Sequence, residues 1–513
     1  MSIFKKFATI GGLTIVSRLL GVVRESILVH FIGASIEMDV FTTAYKFPSF
    51  FRKFFAEGGF QSIFIPYYTD FTNNKKNKGA SYFTAKILFL LSALMLFVTV
   101  FVIIFAKQFT LIMAPGFKDD PTKLDLAIKF TRIIFPSIFF VSISTIYSGI
   151  LLAKKRLVQY AVAPILVNII LILSLVMFSR ITTAGYAISI GVLLEGVFQF
   201  LYMYINVKKI ESSPSKITTL RPTKTIKNFS KKLMPVLAGA GVSQINVLIS
   251  TVFASYLPTG CITYLYCADR FIQLPIALFG IVIGIIILTE IANQNNKTQV
   301  VEIQQRTAIF ALRLSLPIIV LLATLSSLII SILYGHGKFT QDSVYKTAYV
   351  VTISSIGLPS YIMARIFTSA QFAQKDTLTT TKAAIISICS NALVSIILIG
   401  PLQTNGLAIA NVVAGYINIF ILTRKYKELY RLAKTEMSAL KKILLATTIM
   451  TTAILFCLHS YKIQTENTIS ELLAVACISA LGITIYIITL CFSNDEPTKN
   501  IILRYAKKTI INK

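Results

Sequence analysis

Apolar residues recur in long blocks from Phe7 to Phe492, and no long polar interval separates the blocks. A helix needs about 20 mostly apolar residues to cross a hydrocarbon core of about 30 Å. About fourteen blocks reach this length, at 7–33, 38–56, 83–113, 125–152, 158–178, 186–206, 233–257, 261–291, 307–334, 347–373, 380–400, 406–423, 443–459 and 470–492. The pattern therefore predicts an all-α, polytopic membrane protein with about 14 transmembrane helices.

Composition excludes an ordinary soluble protein. Of the 513 residues, 55% are hydrophobic and only 14% are charged, and the mean hydropathy is +0.74. A net charge of +29 would suggest nucleic acid as the partner of a soluble chain, but here most basic residues form short clusters between apolar blocks. Membrane lipids, and not nucleic acid, are therefore the expected surroundings. Because Arg18 and Arg24 interrupt the first block, we interpret it as a retained helix and not as a cleaved signal peptide.

The basic clusters also predict the orientation of the chain. If the N-terminus is cytoplasmic, and Lys382 at the edge of the eleventh block is counted with its loop, the inner segments contain 32 of the 50 Lys and Arg residues and the outer loops contain 6. Cytoplasmic loops of membrane proteins are enriched in Lys and Arg. Both termini are therefore predicted to be cytoplasmic.

A basic segment at 208–232 predicts a division of the chain into six helices and eight. Gly185-Tyr-Ala-Ile, which opens the sixth block, is echoed by Gly406-Leu-Ala-Ile, which opens the twelfth. Equivalent helices six apart run in the same direction, so a parallel six-plus-six repeat is predicted, with chance similarity left open as the alternative. The predicted organisation is an N-lobe at 1–207, a cytoplasmic linker at 208–232, a C-lobe core at 233–425, a basic loop at 426–442, two extra helices at 443–492 and a cytoplasmic tail at 493–513.

Twelve basic residues lie inside the predicted helices or at their edges. An arginine at the bilayer centre costs at least about 2.5–3.5 kcal/mol, so several of them indicate a wet cavity or an anionic ligand. Snorkelling near a helix end explains Lys53, Lys86, Lys107, Lys129 and Arg365. Among the other seven, the candidates for a shared site are Arg18, Arg24, Arg52 and Arg270. The guanidinium fork matches phosphate oxygens, so a phosphate or pyrophosphate is the predicted ligand.

Acidic and polar neighbours complete the candidate site. Adjacent helical residues point about 100° apart, so Arg24 is not expected to pair with Glu25, nor Arg270 with Asp269. Asp39, Glu57, Ser17 and Lys46 are the candidates for gating pairs or headgroup contacts. For Asp39 and Glu57, a solvated helix end remains the alternative.

The sequence offers no catalytic constellation. His30, His336 and His459 have no metal-protease spacing, nucleotide-binding glycine loops are absent, and the six cysteines form no CxxC pair. We therefore expect neither an enzyme nor an ATP-driven pump, and neither a cofactor nor a metal.

Several segments resemble the MurJ/MviN family of lipid II flippases. They include Ser17-Arg18-Leu-Leu-Gly21-Val-Val-Arg24-Glu25, Ala44-Tyr-Lys46-Phe-Pro48, Phe51-Arg52-Lys53-Phe-Phe-Ala56-Glu57-Gly58 and Ala268-Asp269-Arg270. The resemblance implies a translocase that moves undecaprenyl-pyrophosphate-linked disaccharide pentapeptide to the outer leaflet for peptidoglycan synthesis. It also places the family's cationic site on Arg18, Arg24, Arg52 and Arg270, its acidic positions on Asp39 and Glu57, and a lipid-tail groove at the last two helices.

One departure from the family pattern is Lys53, where arginine is common; lysine keeps the charge but loses the fork. The resemblance implies alternating access, with either the membrane potential or a coupling ion as the driving force. An exporter of another polyprenyl-linked glycan or of a drug cation, and more distantly a lipid-processing enzyme, remain as alternatives.

Overall fold

The chain forms helices throughout the residues that the structure, a computed structural model, describes: 3–56, 59–73, 77–210, 224–280, 283–284, 287, 290–291, 297–374, 376–424, 434–460 and 468–493. The helices are α1 (Ile3–Ile32), α2 (Ile36–Ala56), α3 (Gly59–Asn73), α4 (Asn77–Ile104), α5 (Ala106–Met113), α6 (Pro121–Ile134), α7 (Ser137–Ala153), α8 (Leu157–Phe178), α9 (Ala184–Lys208), α10 (Lys224–Ala254), α11 (Cys261–Pro275), α12 (Lys297–Tyr334), α13 (Gln341–Ile356), α14 (Leu358–Ala373), α15 (Thr377–Arg424), α16 (Lys434–Ser460) and α17 (Thr468–Phe492). A 3₁₀ turn, Pro115–Asp119, precedes α6, and a π turn, Ile276–Gly280, follows α11.

Packing divides the chain into two compact units. Unit 1 comprises Met1–Thr263 together with Gly337–Phe339, and unit 2 comprises Tyr264–His336 and Thr340–Lys513. Unit 1 includes α10, whose residues the sequence-based organisation divides between the linker at 208–232 and the C-lobe. That organisation describes a repeat along the chain, whereas the units describe packing, so the predicted boundaries stay a prediction.

The core of unit 1 contains many aromatic side chains. Phe64, which is fully buried, stacks on Tyr68 and Phe83 with ring centroids 5.8 and 5.9 Å apart. A Cβ atom on Gly149 would lie 2.8 Å from the Phe64 ring, so α7 approaches α3 closely only because residue 149 is glycine. Aromatic rings in such offset contacts bury large areas and fix the helices around them.

The core of unit 2 lies along α12, a helix of 38 residues. Ile309 and Leu325 of α12 pack in one cluster with Met450 of α16 and Tyr486 of α17. The Tyr486 hydroxyl donates to the Arg313 carbonyl over 2.9 Å, which satisfies the one polar group that this tyrosine brings into the core. The last two helices therefore belong to the packed body of unit 2.

Eight helices of the described chain are long and apolar enough to cross a membrane, and the bent pair α13 and α14 makes up to nine. Large apolar side chains face outward on such helices, and Phe97 and Phe456 are 67% and 71% exposed. Exposure on this scale indicates a lipid-facing surface. The predicted spans fall on described helices or helix pairs, apart from the end of 261–291, part of which lies outside the described residues. The prediction of an all-α polytopic membrane protein is confirmed.

Two details differ from the sequence-based expectations. Residues 57–82 were expected to be an inner loop, but α3 lies within them and brings Phe60, Phe64 and Tyr68 into the core of unit 1. Lys86 was expected to snorkel, but it is only 1% exposed and its Nζ donates to the Tyr82 hydroxyl over 3.3 Å. In both cases, contacts in the folded protein determine whether the residues are buried, and hydropathy alone does not predict these contacts.

A break at Gln403 divides α15 into two helices. Gln403 has φ 45° and ψ −123°, which no helix contains, and it lies two residues after Pro401. Asn391 before the break donates to Asn411 after it over 3.0 Å, so the two halves are joined by a polar contact. The break coincides with the predicted boundary between the eleventh and twelfth spans.

A tight backbone contact completes the C-terminal end of α1. Gly33 has φ +67°, and a Cβ atom there would collide with the Lys338 carbonyl. The Lys338 amide donates to the His30 carbonyl over 3.0 Å, so a segment from much later in the chain caps the last turn of α1. Glycine is required at position 33 by both its φ and this close approach.

Replacing Gly33 with alanine is therefore expected to destabilise the protein by about 1–3 kcal/mol, because the new methyl group would need a left-handed backbone and would collide with Lys338. Thermal unfolding of detergent-purified protein measures the effect. Gly12→Ala is the control, since a Cβ atom there meets nothing within 4 Å. Equal midpoints for the two variants would contradict this account of Gly33.

Candidate functional site

Arg24 lies at the centre of a polar cluster on α1. Its guanidinium forms an ion pair with Glu25 through Nη2 and donates through Nη1 to the Asn168 Oδ1 atom of α8 over 3.0 Å. The side chains of Arg24 and Glu25 are only 14% and 5% exposed. The expectation that Arg24 does not pair with Glu25 is therefore wrong, because the long arginine side chain bends back to its neighbour.

Asn168 fixes the position of Arg24 relative to α8. Its Nδ2 atom donates to the Ser17 carbonyl over 3.1 Å and to the Pro164 carbonyl over 3.0 Å. The amide oxygen therefore accepts from Arg24 and the amide nitrogen donates to two carbonyls, so both polar atoms of Asn168 have partners. Ser17, a predicted site residue, joins this cluster through its backbone.

Arg52 of α2 faces a buried carboxylate on α9. Its Nη1 atom lies 3.7 Å from Glu195 Oε1, and the two side chains are 29% and 3% exposed. Arg24 also attracts Glu195 electrostatically, so this single acid lies within the influence of two of the predicted arginines. The structure thus brings Arg24 and Arg52 to the same part of unit 1.

A small pocket of about 10 Å³, roughly the room that one water molecule needs, lies beside Glu195 and Arg52. Helices α2, α7 and α9 line it, and its polar groups include the hydroxyls of Ser49, Ser137 and Ser142. Pro48 lies inside α2 at the pocket wall, where it leaves a backbone carbonyl one turn earlier without its helical donor. The pocket lining therefore includes polar side chains although the pocket lies among membrane helices.

Arg18 lies on the same helix as Arg24, in an exposed position. It forms no ion pair with the residues that the structure describes. An exposed guanidinium on a membrane helix needs water or an anion around it. Arg18 is thus more open to a ligand than Arg24, whose guanidinium already has two partners.

Asp39 is 2% exposed and accepts three hydrogen bonds within unit 1. The donors are the Gly260 amide at 2.7 Å, the Thr263 amide at 2.9 Å and the Thr263 hydroxyl at 2.7 Å. The carboxylate therefore caps the first turn of α11 from another helix, an arrangement that satisfies its charge.

Lys46 also bridges helices. Its Nζ atom donates to the Thr251 hydroxyl of α10 over 2.6 Å. Thr251 in turn donates to the Val247 carbonyl of its own helix over 2.9 Å. Lys46 thus joins α2 to α10 inside unit 1.

Arg270 belongs to unit 2, where its guanidinium lies 4.4 Å from the Tyr266 ring centroid in a cation–π contact. Asp269 is exposed and accepts from Gln273 Nε2 over 3.2 Å. The expectation that Arg270 does not pair with Asp269 stays a prediction. Glu57 and the side chain of Lys53 lie outside the described residues.

Sequence reasoning missed Glu195 and Asn168. Both interrupt strongly apolar helices, α9 and α8, and a polar or ionisable residue in such a helix indicates a functional or structural contact. The predicted site residues lie in apolar blocks that carry basic residues, and α8 and α9 have none near Asn168 or Glu195. The sequence alone therefore marks Glu195 as an unusual residue, whereas its ion pair with Arg52 can be identified only in the folded structure.

The family model for the lipid II flippase MurJ matches residues 28–477. A probable lipid II flippase MurJ from Rickettsia prowazekii is 31% identical over 95% of this chain and 96% of the relative. Another from Rhizobium meliloti is 32% identical over 82% and 80% of the two chains.

Solved structures give the same result. A lipid II flippase MurJ in an inward closed conformation superposes with a TM-score of 0.80 at 26% identity, over 95% of this chain and 99% of the other. An inward-facing multidrug resistance MATE transporter gives a TM-score of 0.65 at 14% identity, over 82% and 99%, which shows a shared fold. By sequence and by structure, the chain belongs to the MurJ family of lipid II flippases.

Proposed function

We propose that this protein translocates lipid II, the undecaprenyl-pyrophosphate-linked disaccharide pentapeptide, from the inner to the outer leaflet of the bacterial cytoplasmic membrane. Membership of a flippase family supports a transporter and not an enzyme. The observation that carries the proposal for this chain is the placement of Arg24 and Arg52 around one buried acid, in a polar region among membrane helices. Together with Arg18, the region contains three guanidiniums and two carboxylates, so its net charge is positive and suits an anionic headgroup better than an apolar or cationic substrate.

The pyrophosphate is proposed to bind Arg18, Arg24, Arg52 and Arg270. Each guanidinium can donate two parallel hydrogen bonds to a phosphate group. Ser17 and Lys46 lie on the same helices as three of these arginines, and Glu57 follows α2 directly. Asp39 is proposed as a helix cap and not as a headgroup contact, since its oxygens already accept three hydrogen bonds.

Transport is proposed to follow alternating access, with both termini cytoplasmic because the inner loops carry most basic residues. The sugar and peptide would occupy the wet cavity, while the polyprenyl tail stays in lipid near α16 and α17. Outward movement of a dianion is favoured by about 2.3 kcal/mol per charge per 100 mV of inside-negative potential. The potential alone can therefore drive the step.

Native mass spectra of the purified protein with lipid II test the binding site. The parent is expected to retain intact lipid II, and Ala variants of Arg18, Arg24, Arg52 and Arg270 are each expected to lose roughly tenfold in affinity, since a hydrogen bond to a charged group contributes about 1.5–3 kcal/mol. Lys129→Ala, which removes an exposed positive charge paired with Asp125, is the control. Equal binding by all variants would eliminate the four-arginine site, and a changed lipid mass would indicate an enzyme.

Asn168→Ala is expected to weaken lipid II binding about three- to tenfold without unfolding the protein, because Arg24 would lose the acceptor that sets its position. The same binding assay, together with thermal unfolding, separates the two effects. Asn411→Ala provides a matched control, since Asn411 is a membrane-helix asparagine of unit 2. A loss of binding that the control shares would assign Asn168 a general packing role.

Flipping in proteoliposomes is expected to slow when the membrane potential is collapsed with valinomycin and potassium, because a charged headgroup then moves without an electrical driving force. The initial rate of lipid II exposure in the outer leaflet is the measurement. An unchanged rate would contradict a step driven by the membrane potential and would indicate a coupling ion as the driving force.

A further inference from the structure

Glu195 is a buried acid to which the proposed binding site gives no role so far. It lies in the middle of α9 and is 2% exposed as a residue. The neighbouring Gly196 allows α9 to approach α7, since a Cβ atom at position 196 would lie 3.1 Å from the Ser137 carbonyl. The close packing of two helices thus delivers a carboxylate to the polar pocket beside Arg52.

The ion pair of Glu195 with Arg52 is loose. The separation of 3.7 Å exceeds the 2.7–2.9 Å of a charge-assisted hydrogen bond. The second carboxylate oxygen, Oε2, is buried and has no hydrogen-bond partner among the described residues. A pair with only a structural role would be short and bidentate, because an incompletely satisfied buried charge is costly.

Arg52 lies between this internal anion and the outside of the bundle. Its side chain is 29% exposed, whereas that of Glu195 is 3% exposed. An anionic headgroup can therefore reach the guanidinium, but the carboxylate remains close to it throughout. Two anions then compete for one guanidinium, and they repel each other across it.

We propose that Glu195 is an internal counter-ion that holds Arg52 while the site is empty and recaptures it as the pyrophosphate leaves, so that it limits binding affinity and speeds release. This inference rests on the proposed flippase function and adds a positioning residue to it. Affinity that is spent on the bound ground state does not raise turnover, and a carrier must release its cargo. An acid beside the binding arginine meets that requirement without any moving lid.

Glu195→Gln removes the negative charge but keeps the size of the side chain. We expect the variant to bind lipid II roughly three- to tenfold more tightly and to flip it about threefold more slowly at saturating lipid, which lowers KM and kcat together. A purely structural role for Glu195 would move the affinity in the opposite direction. Glu195→Asp, which retains the charge, is expected to restore turnover in part.

A double-mutant cycle tests whether the effect acts through Arg52. In an Arg52→Ala background, Glu195→Gln is expected to lose most of this gain in affinity, because the arginine that the acid holds is gone and only its weaker interaction with Arg24 is left. Asp125→Asn is the charge-matched control, since Asp125 is a 61% exposed acid of unit 1 paired with Lys129. It should leave KM and kcat unchanged.

Two results would overturn the inference while the flippase assignment stands. The first is a parent that binds and flips lipid II together with a Glu195→Gln variant of equal or weaker affinity. The second is a gain in affinity that is as large without Arg52 as with it. A parent that neither binds nor flips lipid II would instead remove the proposed function itself. Binding to the parent is therefore measured first in each series.

Discussion

A charge inside a bundle of membrane helices must be compensated, and unit 1 is organised around this constraint. Several of its compensating contacts link different helices or helix ends: Arg24 with Asn168, Arg52 with Glu195, Lys46 with Thr251, and Asp39 with Gly260 and Thr263. They connect α1 to α8, α2 to α9, α2 to α10, and α2 to the start of α11. The same charged side chains that could bind a headgroup therefore also hold the helices together. A ligand that binds these side chains displaces some of their contacts and must supply comparable contacts itself.

The partial neutralisation of the arginines fits a carrier better than a permanent receptor. Anionic phospholipids surround the protein in the cytoplasmic leaflet, and a cavity of uncompensated cations would remain filled with anions. Glu25 and Glu195 reduce the positive potential near Arg24 and Arg52. Arg18 keeps an exposed guanidinium on the same helix, so the region combines one open cation with two that are already partnered.

Hydropathy and spacing predict the helices and their class because lipid imposes a fixed length of apolar chain. They do not predict α3, which is short and mixed in character and becomes helical where Phe60, Phe64 and Tyr68 meet a tertiary core. For the candidate site, charge inside apolar blocks draws attention to Arg24 and Arg52, and their role in binding stays a prediction. The partners could not be derived, since Glu195 lies far along the chain and Arg24 reaches Glu25 by a side-chain bend that ideal helix geometry omits.

The cap on the C-terminal end of α1 also has a consequence for biosynthesis. The carbonyl of His30 meets the amide of Lys338, so the first membrane helix obtains its last partner only after about two-thirds of the chain has been synthesised. Contacts between residues so distant in sequence form late because the intervening chain must first be ordered. The emerging N-terminal half therefore enters the membrane with an unfinished helix end, and a ribosome that stalls before Lys338 leaves unit 1 incomplete even though nearly all its helices are present.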